Sequence, residues 1–406
     1  MRKILFISML LLFSALSGCK NDYPDSLWDP NYETLPAPEI SAVEPAAGGI
    51  AGVQELTIKG SNFSTNTADV TVYFDGKKGT VISSTPTEII VKAAPVVDDS
   101  ATIKVAIKGA YDLGVYAKPY TLISATTELI GVNNYVKAYG LACDTDENVY
   151  TLDGVNTRII KLVHPDSIAI DYGSTAPVAV ATGMKMGPEG YLYYISGIII
   201  YRTQPGGGVK EDWVSTVRNA RIVDLDFDEN DNIFAAGTGG RIVCVKQDKS
   251  QNVVYTYDDL QFNAVKIYDG YIYLAGTYIG SDSTIAAKGI WRNPILDSEG
   301  TVGEGELYFD WSAYAGEDGP EMLCMTFNEY GEILIGQDKD NAISVIHTDM
   351  TVDPLYPDIL SPPITYMTWG NGNFLYIDRF EPVVADLRRV FKVSMLMGGA
   401  PYYGRD

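Results

Sequence analysis

Histidine occurs only twice in 406 residues. That scarcity excludes a His-rich metal site and leaves imidazole acid–base chemistry almost nothing to work with. Cysteine is nearly as rare, at four, and no Cys-x-x-Cys arrangement occurs. Cys143, Cys244 and Cys324 sit in apolar strand patterns with no histidine nearby in sequence. They read as small buried side chains, not nucleophiles. Basic residues number 30 against 52 acidic ones, a net charge of −22 without any basic stripe or tail. A surface of that sign repels phosphate backbones, so nucleic acid is excluded as a partner. No nucleophile elbow, P-loop, H-E-x-x-H or Rossmann fingerprint is present. Beyond the N-terminus no apolar run reaches the roughly 20 residues that a membrane helix needs.

What is abundant is glycine (39) and tyrosine (28) on a 46% hydrophobic background. Turns and aromatic strand positions use these residues, so the composition points to an all-β protein. The N-terminus has its own pattern. Arg2 and Lys3 precede a run over residues 4–16, apolar except for Ser8 and Ser14, and Leu16-Ser17-Gly18-Cys19 follows. This is a secretory signal over residues 1–18. Its ending resembles the lipobox of bacterial lipoproteins, which implies diacylglyceryl transfer to Cys19 and an outer-membrane lipid anchor. Residues 19–35 are polar and turn-rich at their start and read as a flexible tether. The acidic stretch after Cys19 resembles the surface-export signal of Bacteroidota lipoproteins, which implies exposure on the cell surface.

Residues 36–124 carry short alternating strands at sandwich spacing: residues 55–60, 70–74, 88–91, 102–107 and 120–122. The details resemble the IPT/TIG family of immunoglobulin-like domains: the opening strand at 40–45, the Gly48-Gly49 turn, LTIKGSNF at 56–63 and the Asp75-Gly76 hairpin. Gly60 and Asn62 are expected at positive φ in a bulge or tight turn. The domain shows no chemistry of its own and reads as a spacer.

Residues 125–406 repeat. A turn before a second strand recurs at Glu147, Gly190, Asp231, Gly270, Gly331 and Gly372, at spacings of 43, 41, 39, 61 and 41. A third strand follows each one, for example at 158–162, 241–245 and 389–393. A period near 40 with four short strands per unit predicts a β-propeller, and six units predict six blades. The first unit resembles the NHL repeat. The sixth lacks a fourth strand before the chain ends, and residues 127–132 are free to supply it.

Asp144-Thr-Asp146-Glu-Asn148 and Asp228-Glu-Asn-Asp231-Asn232 look like calcium-loop fragments. They fall at hairpin turns and lack the distal Glu of an EF-hand, so turn chemistry is the reading, with no cofactor or metal expected. His164 and His347 occupy equivalent positions in units one and five and read as solvated loop residues. Trp291 reads as core, while Trp213, Trp311 and Trp369 lie in outer strands or near a turn, where a flat ring can stack on a sugar.

Two insertions, at 275–288 and 378–388, interrupt the link between second and third strands, and residues 314–320 join units four and five. In a propeller these segments share one face, where length variation builds binding sites. The binding candidates there are Tyr278, Asp282, Tyr314, Asp318, Arg379 and Phe380, with Arg221, Asn263 and Tyr366 at starts of inner strands.

Anchor, tether, sandwich and propeller together resemble the surface glycan-binding lipoproteins of Bacteroidota polysaccharide-utilisation systems. The resemblance implies a non-catalytic protein that captures polysaccharide or oligosaccharide beside a TonB-dependent transporter complex. Two alternatives stand: a protein-interaction scaffold, and a propeller-type lyase or lactonase.

Overall fold

The computed structural model describes residues 33–133, 135–380 and 388–402. The signal segment, Cys19 and nearly all of the tether lie outside the described residues. No helix among the described residues is long and apolar enough to cross a membrane.

The N-terminal part is a β-sandwich. One sheet joins Glu39–Glu44, Glu55–Ser61, Glu88–Lys92 and Thr80–Ser84; a second joins Gly114–Val115, Ile103–Ile107, Val70–Phe74 and Lys77–Lys78. Alternation decides which side chains meet: Leu56, Ile58, Val72, Phe74, Ile89, Val91, Ile103 and Val105 are all buried between the sheets. Each contributes about 1.5–3 kcal/mol on burial. Asn62 sits at φ 62, as expected. Gly60 does not. It is glycine because a Cβ there would lie 1.9 Å from the Glu39 carbonyl oxygen, where the pairing with the first strand shifts register.

Six four-stranded antiparallel sheets follow among the described residues. Their innermost strands are Ala138–Cys143, Met184–Met186, Ile222–Phe227, Leu260–Tyr268, Met322–Phe327 and Tyr366–Trp369, for blades one to six. The turn between first and second strands explains the repeat. Glu147, Gly190, Asp231, Gly270, Gly331 and Gly372 all have φ between 60 and 79. That geometry favours glycine or a short polar residue, and it recurs at the same place in every blade. The ring closes with an N-terminal strand as the chain pattern predicts, but that strand is shorter than residues 127–132 and starts one residue earlier. Thr126–Glu128 pairs antiparallel with Arg389–Ser394 and supplies the fourth strand of blade six. Arg389 Nε reinforces it, 2.6 Å from the Glu128 carboxylate.

Ile50 and Val53 of the sandwich share an apolar cluster with Leu355, Tyr356 and Ile359 of the propeller. Cys143, Cys244 and Cys324 are free and buried within strands, and burial pushes all three thiols up.

Two boundaries differ from expectation. The second and third strands of blade four run Tyr271–Tyr278 and Lys288–Pro294, so the inserted link is only 279–287. In blade six the strand reaches Arg379, and most of the 380–388 link lies outside the described residues. The 61-residue spacing of blade four also contains a third excursion, 295–305, on the opposite face. It leans on blade three: Asn232 Nδ2 donates to the Ser298 carbonyl at 3.0 Å, and Lys246 pairs with Glu299.

Candidate functional site

One face of the ring, the upper face, carries the links between blades and the links between second and third strands. All nine binding candidates are on it, but in four separate places. Tyr278 and Asp282 line a groove of about 500 Å³ together with Asp310, Ser312 and Glu317. The Tyr278 hydroxyl accepts from Asp282 N at 3.3 Å, which folds the 279–287 link back over its own strand. Tyr314 stands beside this groove on a one-turn helix, Trp311–Ala315, capped by Asp310. Trp311 Nε1 donates to the Pro320 carbonyl at 2.9 Å, and Lys288 Nζ donates to the Gly319 carbonyl at 2.8 Å. The two inserted segments are thereby tied together. Tyr314 is 47% exposed with its ring 5.4 Å from that of Trp311, a supported and accessible aromatic. Asp318 is exposed, and its carbonyl accepts from Lys339.

Arg379 and Phe380 form a second place. Phe380 packs on Tyr139 at 5.2 Å with Arg388 over its ring at 5.3 Å, and Arg379 lies over Phe391 at 5.6 Å. Burial and neighbouring Arg389 hold the Arg379 guanidinium below its usual range. Asn263 and Tyr366 are structural at the channel mouth. Asn263 Nδ2 donates to the Met322 carbonyl at 3.1 Å, joining blades four and five, and the Tyr366 hydroxyl donates to the Ala181 carbonyl at 3.0 Å, reaching from blade six to the entry of blade two. Arg221 opens into a fourth place, a shallow groove of about 770 Å³ with Arg218, Arg241, Asn219 and Thr238.

The four tryptophans among the described residues offer no platform. Trp213, Trp291, Trp311 and Trp369 are all buried, and Trp311 starts the short helix instead of ending an outer strand. The accessible rings on this face belong to tyrosine and phenylalanine.

Sequence reasoning missed the channel. Asp224 Oδ2 accepts from Val265 N at 2.9 Å and Lys266 Nζ at 3.2 Å. Asp226 Oδ2 accepts from Ile267 N at 2.9 Å, and its Oδ1 lies 3.8 Å from Lys185 Nζ. All four charged side chains are buried. Burial lowers the Lys185 ammonium to about 8 against the pull of Asp226. For Lys266 burial acts in the same sense, but Asp224 and Asp226 outweigh it and its pKa rises. A void of about 30 Å³ remains among Thr182, Asn263, Thr365 and Tyr366, room for about one water. Buried Asp378 lies nearby on blade six, its carboxyl pushed up to about 8 by burial although Thr365 donates to it at 3.2 Å. The signal was present in Met184-Lys185-Met186, Asp224-Leu225-Asp226 and Val265-Lys266-Ile267: charges centred in otherwise apolar strands.

The lower face holds a cleft of about 780 Å³ lined by Asp226, Asp228, Glu229, Asp269 and Asp297 beside Tyr268 and Tyr402. Asp228 Oδ1 accepts from the backbone of Asn230 and Asn232 at 2.9 and 2.8 Å. Asp144 does the same for Asp146 and Asn148, at 3.1 and 2.8 Å. These are Asx turns, the mechanical role read from their spacing. His347 departs from expectation. Its Nδ1 lies 2.6 Å from Glu332 Oε1 and its Nε2 3.2 Å from Asp353 Oδ2, and those partners raise its pKa. His164 is exposed, as a loop histidine should be.

Residues 38–122 match the IPT/TIG domain family. No curated protein matches the chain. Among solved structures, an auxiliary nutrient binding protein from Bacteroides thetaiotaomicron is similar at 12% identity and TM-score 0.53, over 90% of this chain and 98% of the other. A second auxiliary nutrient binding protein, from Bacteroides ovatus, is similar at 12% identity and TM-score 0.51, over 91% and 99%. A Bacteroides thetaiotaomicron protein provisionally named a phosphatase aligns at 11% identity and TM-score 0.53, over 88% and 97%. At such identities the likeness is one of fold. The fold is an IPT/TIG sandwich followed by a six-bladed β-propeller.

Proposed function

We propose that this protein is a non-catalytic, lipid-anchored binding protein of the bacterial outer surface, whose propeller captures polysaccharide or oligosaccharide through its upper face. The observation that carries the reading is the paired insertion of blade four: Tyr278, Asp282 and the 311–320 segment edge one groove, with Tyr314 exposed beside it. Aromatic faces stack on the apolar faces of sugar rings, and flanking Asp, Ser and Glu groups bond hydroxyls. Support for binding over catalysis comes from the channel, where Asp224 and Asp226 are engaged by lysines and backbone amides. Two acids held this way are poor proton donors and acceptors toward a substrate.

Cys19 would carry the anchor, and the acidic start of the tether would mark the chain for the outer surface. Many copies in one membrane would then supply avidity to weak single sites, beside a TonB-dependent transporter. Affinity gel electrophoresis against a polysaccharide panel tests the reading. Retardation by one glycan class without release of reducing ends is expected. Release of reducing ends would point to the lyase alternative, and recovery of a protein partner with no glycan retardation to a scaffold.

A further inference from the structure

The groove around Arg221 stands out in a chain of net charge −22. Three of its eleven arginines, Arg218, Arg221 and Arg241, line one depression of about 770 Å³, and no carboxylate lines it. Among the described residues neither Arg218 nor Arg221 makes an ion pair, and both are exposed. Arg158, Arg202 and Arg292, by contrast, each reach a carboxylate. Arg241 is fixed from below, its Nη1 donating to the carbonyls of Asn219 and Gly239 at 3.1 and 3.2 Å. The turn that presents Arg221 is over-determined. Arg221 sits at φ 45, its carbonyl accepts from Thr238 N at 3.0 Å, and a Cβ at Gly237 would lie 2.0 Å from that carbonyl oxygen. A non-glycine residue held in the left-handed region persists only where its surroundings enforce it, and such residues gather at ligand clamps.

Three guanidiniums lining one groove with no carboxylate among them favour an anion there, and planar guanidinium binds a carboxylate through two parallel N–H groups. The surrounding acidic surface repels dense polyanions, so the ligand must carry its charges far apart. We infer that the Arg218–Arg221–Arg241 groove is a subsite for the carboxylate of a uronic acid residue within a glycan of otherwise neutral sugars. The inference rests on the reading of the upper face as a glycan site and names the substrate class for it. Asn219 and Thr238, in the same lining, offer hydroxyl partners beside the charge.

The test is affinity electrophoresis of the full chain against gum arabic and xanthan, whose uronic acids are spaced by neutral sugars, each paired with its carboxyl-reduced form, and against dextran sulfate. The expected result is retardation by at least one carboxylated polymer, about tenfold weaker for its reduced form and for R218A/R221A, and unchanged for K77A/K78A on the sandwich hairpin. Circular dichroism melts of each variant separate lost binding from lost folding. Equal retardation by native and reduced polymers, indifferent to R218A/R221A, overturns the subsite and leaves glycan binding standing. Retardation greatest on dextran sulfate and weakened equally by K77A/K78A is non-specific charge attraction and also overturns it. Retardation by none of these, nor by neutral glycans, overturns both readings.

Discussion

The propeller presents two clefts of nearly equal size on opposite faces, about 770 Å³ above and 780 Å³ below, lined by charges of opposite sign. The lower one looks richer, with five carboxylates, yet three of them, Asp226, Asp228 and Asp297, are spent on the fold itself. Asp228 closes its own hairpin, Asp297 accepts from Glu299 N and Thr301 N at 3.0 and 2.9 Å, and Asp226 holds blade four through Ile267 N. The upper groove has fewer charges, but Arg218 and Arg221 are bound to no carboxylate. Charge density alone does not mark a site; unsatisfied hydrogen-bonding capacity does.

The sharpest way to break this comparison is charge reversal above and neutralisation below. R218E/R221E should abolish retention on a carboxylated glycan, a loss of roughly 100-fold or more, while D269N/E229Q should change it by less than about twofold. Calorimetry on both variants decides. If the lower-face variant loses binding instead, the two clefts have exchanged roles.

The neighbouring aromatic groove should matter less. Y278A and Y314A, measured separately by calorimetry on a glycan that binds, should each weaken affinity about three- to tenfold, the scale of one lost stacking platform. An unchanged affinity for both would confine recognition to the arginine groove.

Stability should report on the upper interior next. Asp378 has an ordinary carboxyl pKa of 3.8 when unfolded and about 8 when folded. Between those values the unfolded chain releases the proton and the folded one keeps it, so this group lowers stability as pH rises from about 4 to about 8. D378N should therefore melt with wild type near pH 4 and above it at pH 8, by roughly 1–3 kcal/mol. A constant difference across that range would mean the carboxyl is not the titrating group.

The lower face supplies the smallest effect, with the opposite sign. Glu332 and Asp353 raise the His347 pKa above its ordinary 6.5. Its contribution is complete below 6.5 and fades as pH rises through the raised folded value. H347Q should lower the melting temperature at pH 5.5 and leave it nearly unchanged at pH 9, by about 1 kcal/mol or less because the pair is partly solvated.

Much of the architecture was legible residue by residue. The six turn positions from Glu147 to Gly372 announce the blades because a positive φ restricts residue choice locally. The missing outer strand of blade six pointed to residues 127–132 because a sheet edge needs a partner, and the strand that closes the ring, Thr126–Glu128, overlaps only the start of that segment. Sites were less legible. Asn263 and Tyr366 occupy the expected face but spend their polar atoms on the carbonyls of Met322 and Ala181, and Trp213, Trp311 and Trp369 turn inward. Solvent exposure of a strand-end side chain depends on the neighbouring blade, which periodicity does not report.

By itself, then, the sequence determined the β class, the repeat, the closing strand and the turn chemistry, all set by interactions within a few residues or by strand alternation. Only the tertiary structure decided which charges close the channel and which remain open to a ligand. Lys185 meets Asp226 and Lys266 meets Asp224 only when neighbouring blades stack, and Arg218 comes to share a groove with Arg241 only when the link into blade three folds over that blade's third strand. Contacts between residues some 20 to 40 positions apart come from the packing of successive elements of the ring, and no local pattern encodes them.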